Sequence, residues 1–283
     1  MTGDRIAVLG AGVMGTGIAT LAVGRGLPVV LVDADPDTVA AARTQVSRQL
    51  RLARLMGHLP REETAGELTT TTRVADVATA TAVIEAVTER IGAKTAVLTE
   101  AAAVTRPGTP LMSNTSAIPI GELAASVPRP ADVLGVHFMN PPYLIRTVEV
   151  VRGPRTGEET MAKTTALLAA LGQEGVIVGD GPGFVINRIL QRMINEAARI
   201  VEEGGASPES VDTLFRRCLG HRTGPLATGD LIGLDNVVDA LRVLHERTGD
   251  DGYRPADLLL AKVRAGEYGR KTGRGFFDHE GTP

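Results

Sequence analysis

The sequence predicts an α/β protein in which a doubly wound, mostly parallel sheet is followed by an all-helical C-terminal domain. Three observations predict it. Short β-rich runs alternate with longer helical patterns through the first two-thirds of the chain, the arrangement expected of βαβ units. A glycine-spaced turn, Gly10-Ala11-Gly12-Val13-Met14-Gly15, lies directly between the first β-rich run and the first helical pattern. After Gly179-Asp180-Gly181-Pro182-Gly183 the β-rich runs stop. The boundary is therefore placed near 180, separating 1–180 from 181–283.

Strands are predicted at 5–9, 28–32, 69–72, 82–86, 109–113, 133–137, 147–151 and 175–178, and helices near 13–25, 36–56, 91–105 and 158–171. The second helix has the clearest start, with Asp35 as cap and Pro36 at the first helical position. Beyond the boundary, helices are expected at 184–204, 208–219, 227–247 and 255–265. The first of these carries Phe184, Ile186, Ile189, Leu190, Met193, Ile194, Ala197, Ile200 and Val201. That stripe is wide for a surface helix and points to burial on more than one side, by domain docking or by a dimer interface.

Composition narrows the function classes. A chain of 283 residues, 43% hydrophobic and 22% charged, is an ordinary globular protein. Its net charge of −3 argues against a nucleic-acid surface. The single cysteine, Cys218, rules out an intrachain disulfide, which suits a reducing compartment, and a cytoplasmic protein is expected. Residues 6–24 carry no charge and could pass for a signal or membrane segment. Their glycines, and the strand-like run Val29-Val30-Leu31-Val32 that follows, fit a strand–turn–helix–strand unit better, so no membrane segment is expected. The histidines at 58, 221, 245 and 279 have no metal-ligand spacing, and no metal is expected.

The glycine turn has the context that a dinucleotide site needs. Gly10 permits the tight turn, Gly12 lets a pyrophosphate approach the backbone, and Gly15 lets the helix pack on the strand. Asp33 ends the second strand, close to the spacing expected for a carboxylate on the ribose 2′-hydroxyl. A carboxylate there repels a 2′-phosphate, and no Arg or Lys follows in 34–37. The reading is a Rossmann-type domain that takes NAD rather than NADP.

A second constellation supplies acid–base chemistry. His137 ends the apolar run Val133-Leu134-Gly135-Val136, and Glu149 lies in a second β-rich run. A buried carboxylate can hold an imidazole in one tautomer and stabilise its protonated form. Read alone, each residue has a plainer account. His137 could be a core or rim histidine, and Ser116 a helix cap before Pro119. Asn187 could be an exposed helix residue. Glu149 could be a surface strand residue, because period-two alternation does not decide its burial.

Taken in order, the motifs resemble the L-3-hydroxyacyl-CoA dehydrogenase family nearly end to end. They are GAGVMG at 10–15, EAVTER at 85–90 with Lys94, SNTSA at 113–117 and HFMNP at 137–141. TVEVVRG at 147–153, PGFVINR at 182–188, GPLATGDLIGLD at 224–235 and GRKTGRGFFD at 269–278 complete the set. The resemblance implies NAD-dependent, reversible oxidation of a 3-hydroxyacyl thioester, by default a CoA ester such as 3-hydroxybutyryl-CoA. It implies that His137 is the general base, that Glu149 steadies it, and that Ser116 and Asn187 contact the substrate oxygens. Asn140 would help to fix the loop geometry. Met14 and Asn114 join the glycines and Asp33 as cofactor-binding positions, and Glu89 and Lys94 would line the ribose and nicotinamide side. The substrate is expected in a cleft between the two domains, and the helical part is expected to pair two subunits. The basic tail at 269–278 lacks a preceding strand and is read as a structural turn rather than a phosphate loop.

Two departures bear on the substrate. The family's fatty-acid enzymes place a Lys-containing helix near the adenine end of CoA. Here 40–58 offers Arg43, Arg48, Arg51 and Arg54 instead. Those arginines suit CoA phosphates, the acidic surface of an acyl carrier protein, or plain solvent. The segment Pro141-Pro142-Tyr143-Leu144-Ile145-Arg146 also differs from the β-oxidation branch and looks more like a sugar-acid branch. The main alternative is thus a small hydroxyacyl group on an acyl carrier protein, as in polyketide extender-unit supply. A reading from another class is a catalytically silent NAD-binding structural or sensory protein.

Overall fold

The computed structural model describes residues 5–60 and 64–279. The chain forms two compact units, 1–181 and 182–283. In the first, an eight-stranded sheet comprises β1 (Ile6–Leu9), β2 (Val29–Val32), β3 (Leu68–Thr71), β4 (Ala82–Glu85), β5 (Leu111–Ser113), β6 (Val133–His137), β7 (Thr147–Arg152) and β8 (Glu174–Gly179). Their spatial order is β3-β2-β1-β4-β5-β6-β7-β8. Every neighbouring pair is parallel except β6 and β7. The helices are α1 (Val13–Gly24), α2 (Pro36–Leu55), α3 (Ile91–Val104), α4 (Ile120–Ala125) and α5 (Glu158–Ala170).

The central strands read as unbroken apolar runs because both faces are covered. β1, β2 and β4 are buried at every position. The start of α2 follows the sequence closely. Pro36 opens the helix, and the Asp35 carboxylate accepts from the amides of Asp37 and Thr38. α4 has no local signal. Asp180, sixty positions from Ile120, accepts from the first two helical amides, those of Ile120 and Gly121, at 2.8 and 2.7 Å. A six-residue helix held by a distant carboxylate leaves no periodicity to read.

The second unit is helical among its described residues: α6 (Ile186–Glu202), α7 (Pro208–Leu219), α8 (Pro225–Ile232), α9 (Leu234–Thr248) and α10 (Asp257–Arg264). The single helix expected at 227–247 is two helices. Gly233 sits between them with φ 99°, outside any helical conformation. On α6, Ile194, Ala197 and Ala198 enter the core with Leu226, Val237 and Leu241. Ile186, Ile189 and Ile200 of the same helix are exposed. The tail folds back on α8, where buried Asp230 accepts from the amides of Phe276 and Phe277, each at 2.9 Å, and meets His279 at 2.8 Å. No helix among the described residues is long and apolar enough to cross a membrane.

Candidate active site

The turn after β1 is built by three glycines with three different reasons. Gly10 has φ 101°, and a Cβ there would lie 2.6 Å from the Ala86 carbonyl oxygen. A Cβ on Gly15 would lie 1.7 Å from the Gly10 carbonyl oxygen. A Cβ on Gly12 would meet nothing within 4 Å and would stand in the pocket outside the strand ends. That pocket has a volume of about 950 Å³ and is walled by Gly12, Met14, Asp33, Arg73, Val87 and Ala93 among others. The first turn of α1 has no side-chain cap and no acidic residue. Its amide donors and positive end are therefore offered to a bound anion. Asp33 accepts from the amides of Ala11, at 2.7 Å, and Asp35, at 3.0 Å, which ties the glycine turn to the end of β2. These features fit a dinucleotide: bare backbone at Gly12, a helix N-terminus for the pyrophosphate, and a carboxylate for the ribose. Arg73, unsuspected in the sequence, comes to the same wall from beyond β3 and forms an ion pair with Asp76 at 2.5 Å.

The acid–base pair arises from strand register. His137 and Glu149 are partners across the antiparallel β6–β7 junction, so their side chains leave the sheet on one face. His137 Nδ1 stands 2.7 Å from Glu149 Oε2. Both residues are buried, Glu149 at 4% exposure although it alternates with the buried Val148 and Val150. β7 is covered on both faces, so alternation along it could not reveal an inward carboxylate. A carboxylate only accepts, so the contact proton belongs to Nδ1 and the neutral ring presents Nε2 as a base.

The SNTSA segment begins at Ser113, the last residue of β5, and is fastened at its first two residues to Glu85 at the end of β4 and at its last three to Glu89 in the turn beyond it. The Ser113 hydroxyl donates to Glu85 Oε2 at 2.5 Å, and the Asn114 amide donates to the Glu85 carbonyl at 2.8 Å. Glu89 Oε1 accepts from the Thr115 hydroxyl (2.6 Å), the Ser116 amide (2.8 Å) and hydroxyl (3.2 Å), and the Ala117 amide (3.1 Å). Asn114 Oδ1 accepts from the Phe138 amide at 2.8 Å, joining this segment to the residue beside His137. Ser116 does not cap α4, whose amides are held by Asp180.

Lys94 stands behind Glu89 rather than on the pocket wall. It is 1% exposed, and its ammonium contacts Glu85 Oε1 at 2.8 Å, Glu89 Oε2 at 3.1 Å and the Val87 carbonyl at 3.2 Å. Burial pushes the Glu85 carboxyl above the usual range despite the opposing pull of Lys94, Ser113 and the Val87 amide. Burial also opposes charge on Glu89, but there Lys94, Thr115 and the Ser116 amide prevail and hold the carboxyl below the usual range. Asn140 is exposed, three positions past His137. Asn187 is half-buried in the first turn of α6, in the helical unit. Sequence reasoning missed Glu85, Thr115, Asp180 and Arg73. The only available signal was Glu85, an acid closing an apolar strand. Among the described residues, no group of three or more His, Cys, Asp or Glu could hold a metal ion.

Comparison with known proteins gives a consistent picture. Residues 5–181 match the family model described as "3-hydroxyacyl-CoA dehydrogenase, NAD binding domain", and 183–279 match "3-hydroxyacyl-CoA dehydrogenase, C-terminal domain". The chain is 41% identical over 279 residues to the "Probable 3-hydroxybutyryl-CoA dehydrogenase" of Bacillus subtilis, covering 98% of this chain and 97% of that one. It is 36% identical over 280 residues to the 3-hydroxybutyryl-CoA dehydrogenase of Bradyrhizobium diazoefficiens, covering 98% and 96%. The crystal structure of (S)-3-hydroxybutyryl-CoA dehydrogenase from Ralstonia eutropha superposes with a TM-score of 0.91 at 37% identity, covering 98% of this chain and 99% of that one.

Proposed function

This chain belongs to the 3-hydroxyacyl-CoA dehydrogenase family, and from that membership we propose that it interconverts a 3-hydroxyacyl thioester and its 3-oxo form, with 3-hydroxybutyryl-CoA as the default substrate. The cofactor is NAD, for which the N-terminal unit is the family's binding domain.

The observation that carries the proposal is the buried His137–Glu149 contact of 2.7 Å. Bound NAD supplies the acceptor for the hydride that leaves C3. His137 takes the hydroxyl proton through Nε2, and in the reverse direction returns it. Positioned proton transfer of this kind contributes roughly 100- to 10,000-fold in rate. Glu149 keeps Nδ1 protonated and stabilises the imidazolium that forms. Ser116 orients the substrate oxygen, and the resemblance adds Asn187 as a second polar group for it. Asn140 shapes the loop after His137. Glu89 and Asn114 hold the Ser116 segment, one by four donors and the other by its link to Phe138. A catalytically silent protein has no use for this arrangement, which supports an active enzyme. Exposed Ile186, Ile189 and Ile200 on α6 support a homodimer, and the single cysteine suits a reducing compartment such as the cytoplasm.

One surface favours a second reading, a hydroxyacyl group carried by an acyl carrier protein. Leu52, Leu55 and Met56 at the end of α2 are exposed beside Arg48 and Arg51. An apolar patch with two arginines beside it suits an acidic protein partner better than a phosphate alone. The deciding experiment follows NADH oxidation with acetoacetyl-CoA and with acetoacetyl carrier protein in parallel. A higher kcat/KM for the CoA ester supports the default, and a higher value for the carrier thioester supports the alternative. No NADH oxidation with either would sink the dehydrogenase reading.

A further inference from the structure

Two carboxylates and one ammonium are stacked where β4 ends, and of the two carboxylates it is the outer one that touches Thr115, Ser116 and Ala117. Glu85 lies innermost with no exposure, Lys94 is next at 1%, and the Glu89 side chain reaches the surface at 38%. Burying a Glu–Lys pair is a poor way to stabilise a core, because desolvation offsets the attraction and apolar residues of similar volume do as well or better. The cluster therefore calls for a reason beyond stability.

The contacts supply one. Glu89 sends its two oxygens in different directions: Oε2 to Lys94, and Oε1 to four donors on Thr115, Ser116 and Ala117. Lys94 can hold Glu89 in this orientation only if its own long side chain is held. Glu85 does that from behind, at 2.8 Å, in a contact sealed from water. Glu85 also reaches the base of the same segment directly, through the Ser113 hydroxyl. One carboxylate thus grips the segment at its first residue and, through Lys94 and Glu89, at its last three.

We infer that Glu85 is a positioning residue for the reaction: it anchors Lys94, so that Glu89 holds Ser116 where the substrate's 3-oxygen must bind. The inference rests on the role given above to Ser116. It also assigns Lys94 to the scaffold beneath the site, since its ammonium donates to Glu85 and the Val87 carbonyl and forms an ion pair with Glu89.

The test is steady-state kinetics of Glu85→Gln, which keeps the shape and removes the charge. The expected result is a kcat lower by about tenfold or more with KM for NAD within about threefold, the split expected when an interaction made in the transition state is weakened. Lys94→Met and the double variant complete a cycle. If Glu85 acts through Lys94, the double variant loses no more than Lys94→Met alone. Unchanged kcat in Glu85→Gln overturns the inference, and so do losses that multiply in the double variant. If Glu85→Gln does not fold, Lys94→Met is read alone; a kcat lowered about threefold or more in a folded protein, with KM for NAD within about threefold, supports the Lys94 link, and an unchanged kcat overturns it. Turnover by the unmodified chain is measured first. Its absence sinks the dehydrogenase reading together with this one, whereas normal turnover by both unmodified and Glu85→Gln proteins sinks the positioning role alone.

Discussion

Glu149 faces His137 because the two are register partners across the one antiparallel junction of the sheet, where Gly135 pairs with Val151 and Val136 with Val150. Twelve positions apart in the chain, they are placed by a strand reversal, and the 2.7 Å contact follows from the ladder. His137→Gln is expected to leave NAD affinity unchanged and to lower kcat roughly 100- to 10,000-fold. Glu149→Gln should give a smaller loss, because the base remains and only its orientation and charge partner are weakened. NAD titration by fluorescence beside steady-state assays checks both, and near-normal turnover of His137→Gln dismisses the mechanism.

The glycines of the first turn should separate cofactor binding from folding. Gly12→Ala places a methyl in open space, so stability should fall by no more than about 1 kcal/mol, the scale of a helix-cap change, while NAD affinity drops. Gly15→Ala drives a methyl into the Gly10 carbonyl and should destabilise by about 1–3 kcal/mol or more whether or not NAD is present. Thermal melts with and without NAD distinguish the two.

Asp33 is expected to govern cofactor choice. The unmodified chain should use NAD at least about tenfold more efficiently than NADP, a difference of about 1.4 kcal/mol. Arg73 lies on the same wall and is engaged by Asp76, so Asp33→Ala should narrow the ratio, and Asp33→Ala with Asp76→Ala should narrow it further. Comparison of kcat/KM with the two cofactors is the check; an equal ratio in all three proteins would discard the argument.

Glu89 makes a pH prediction with a definite sign. Its carboxyl is held below the usual range in the native state, with burial outweighed by Lys94, Thr115 and the Ser116 amide. Its contribution to stability is therefore complete above the unfolded value of about 4.3 and disappears as pH falls through the lowered native value. Glu85, pushed upward chiefly by burial, slopes the other way: its contribution is complete below the ordinary value and is lost as pH rises through the raised one. Urea unfolding of the unmodified chain and of Glu89→Gln should show a gap at neutral pH that closes in strong acid. A gap independent of pH would contradict the assignment.

In the helical unit, Asp230 is the tail's anchor. Removing the carboxylate in Asp230→Ala leaves the Phe276 and Phe277 amides without their acceptor and should cost about 1–3 kcal/mol. Calorimetry should show a lower melting temperature for this unit, with the N-terminal unit unaffected. The result also tests whether the basic segment 269–278 is structural rather than a phosphate site.

Much of this protein is legible in one dimension. Apolar strands covered on both faces, the spacing of Gly10, Gly12, Gly15 and Asp33, and the Asp35–Pro36 helix start are local patterns, and local patterns survive in a linear text. They determined the element order, the parallel sheet, the nucleotide turn and the family. The break at Gly233 and the short α4 were hidden, the first because a glycine within an apolar pattern does not declare its φ, the second because its cap is sixty residues away. Tertiary structure alone decided that Glu149 is buried, that Lys94 is enclosed between two carboxylates, and that Arg73 reaches the wall of the pocket that Gly12 and Asp33 line. Burial and charge pairing depend on what packs from elsewhere in the chain, and neither residue type nor spacing encodes that neighbour.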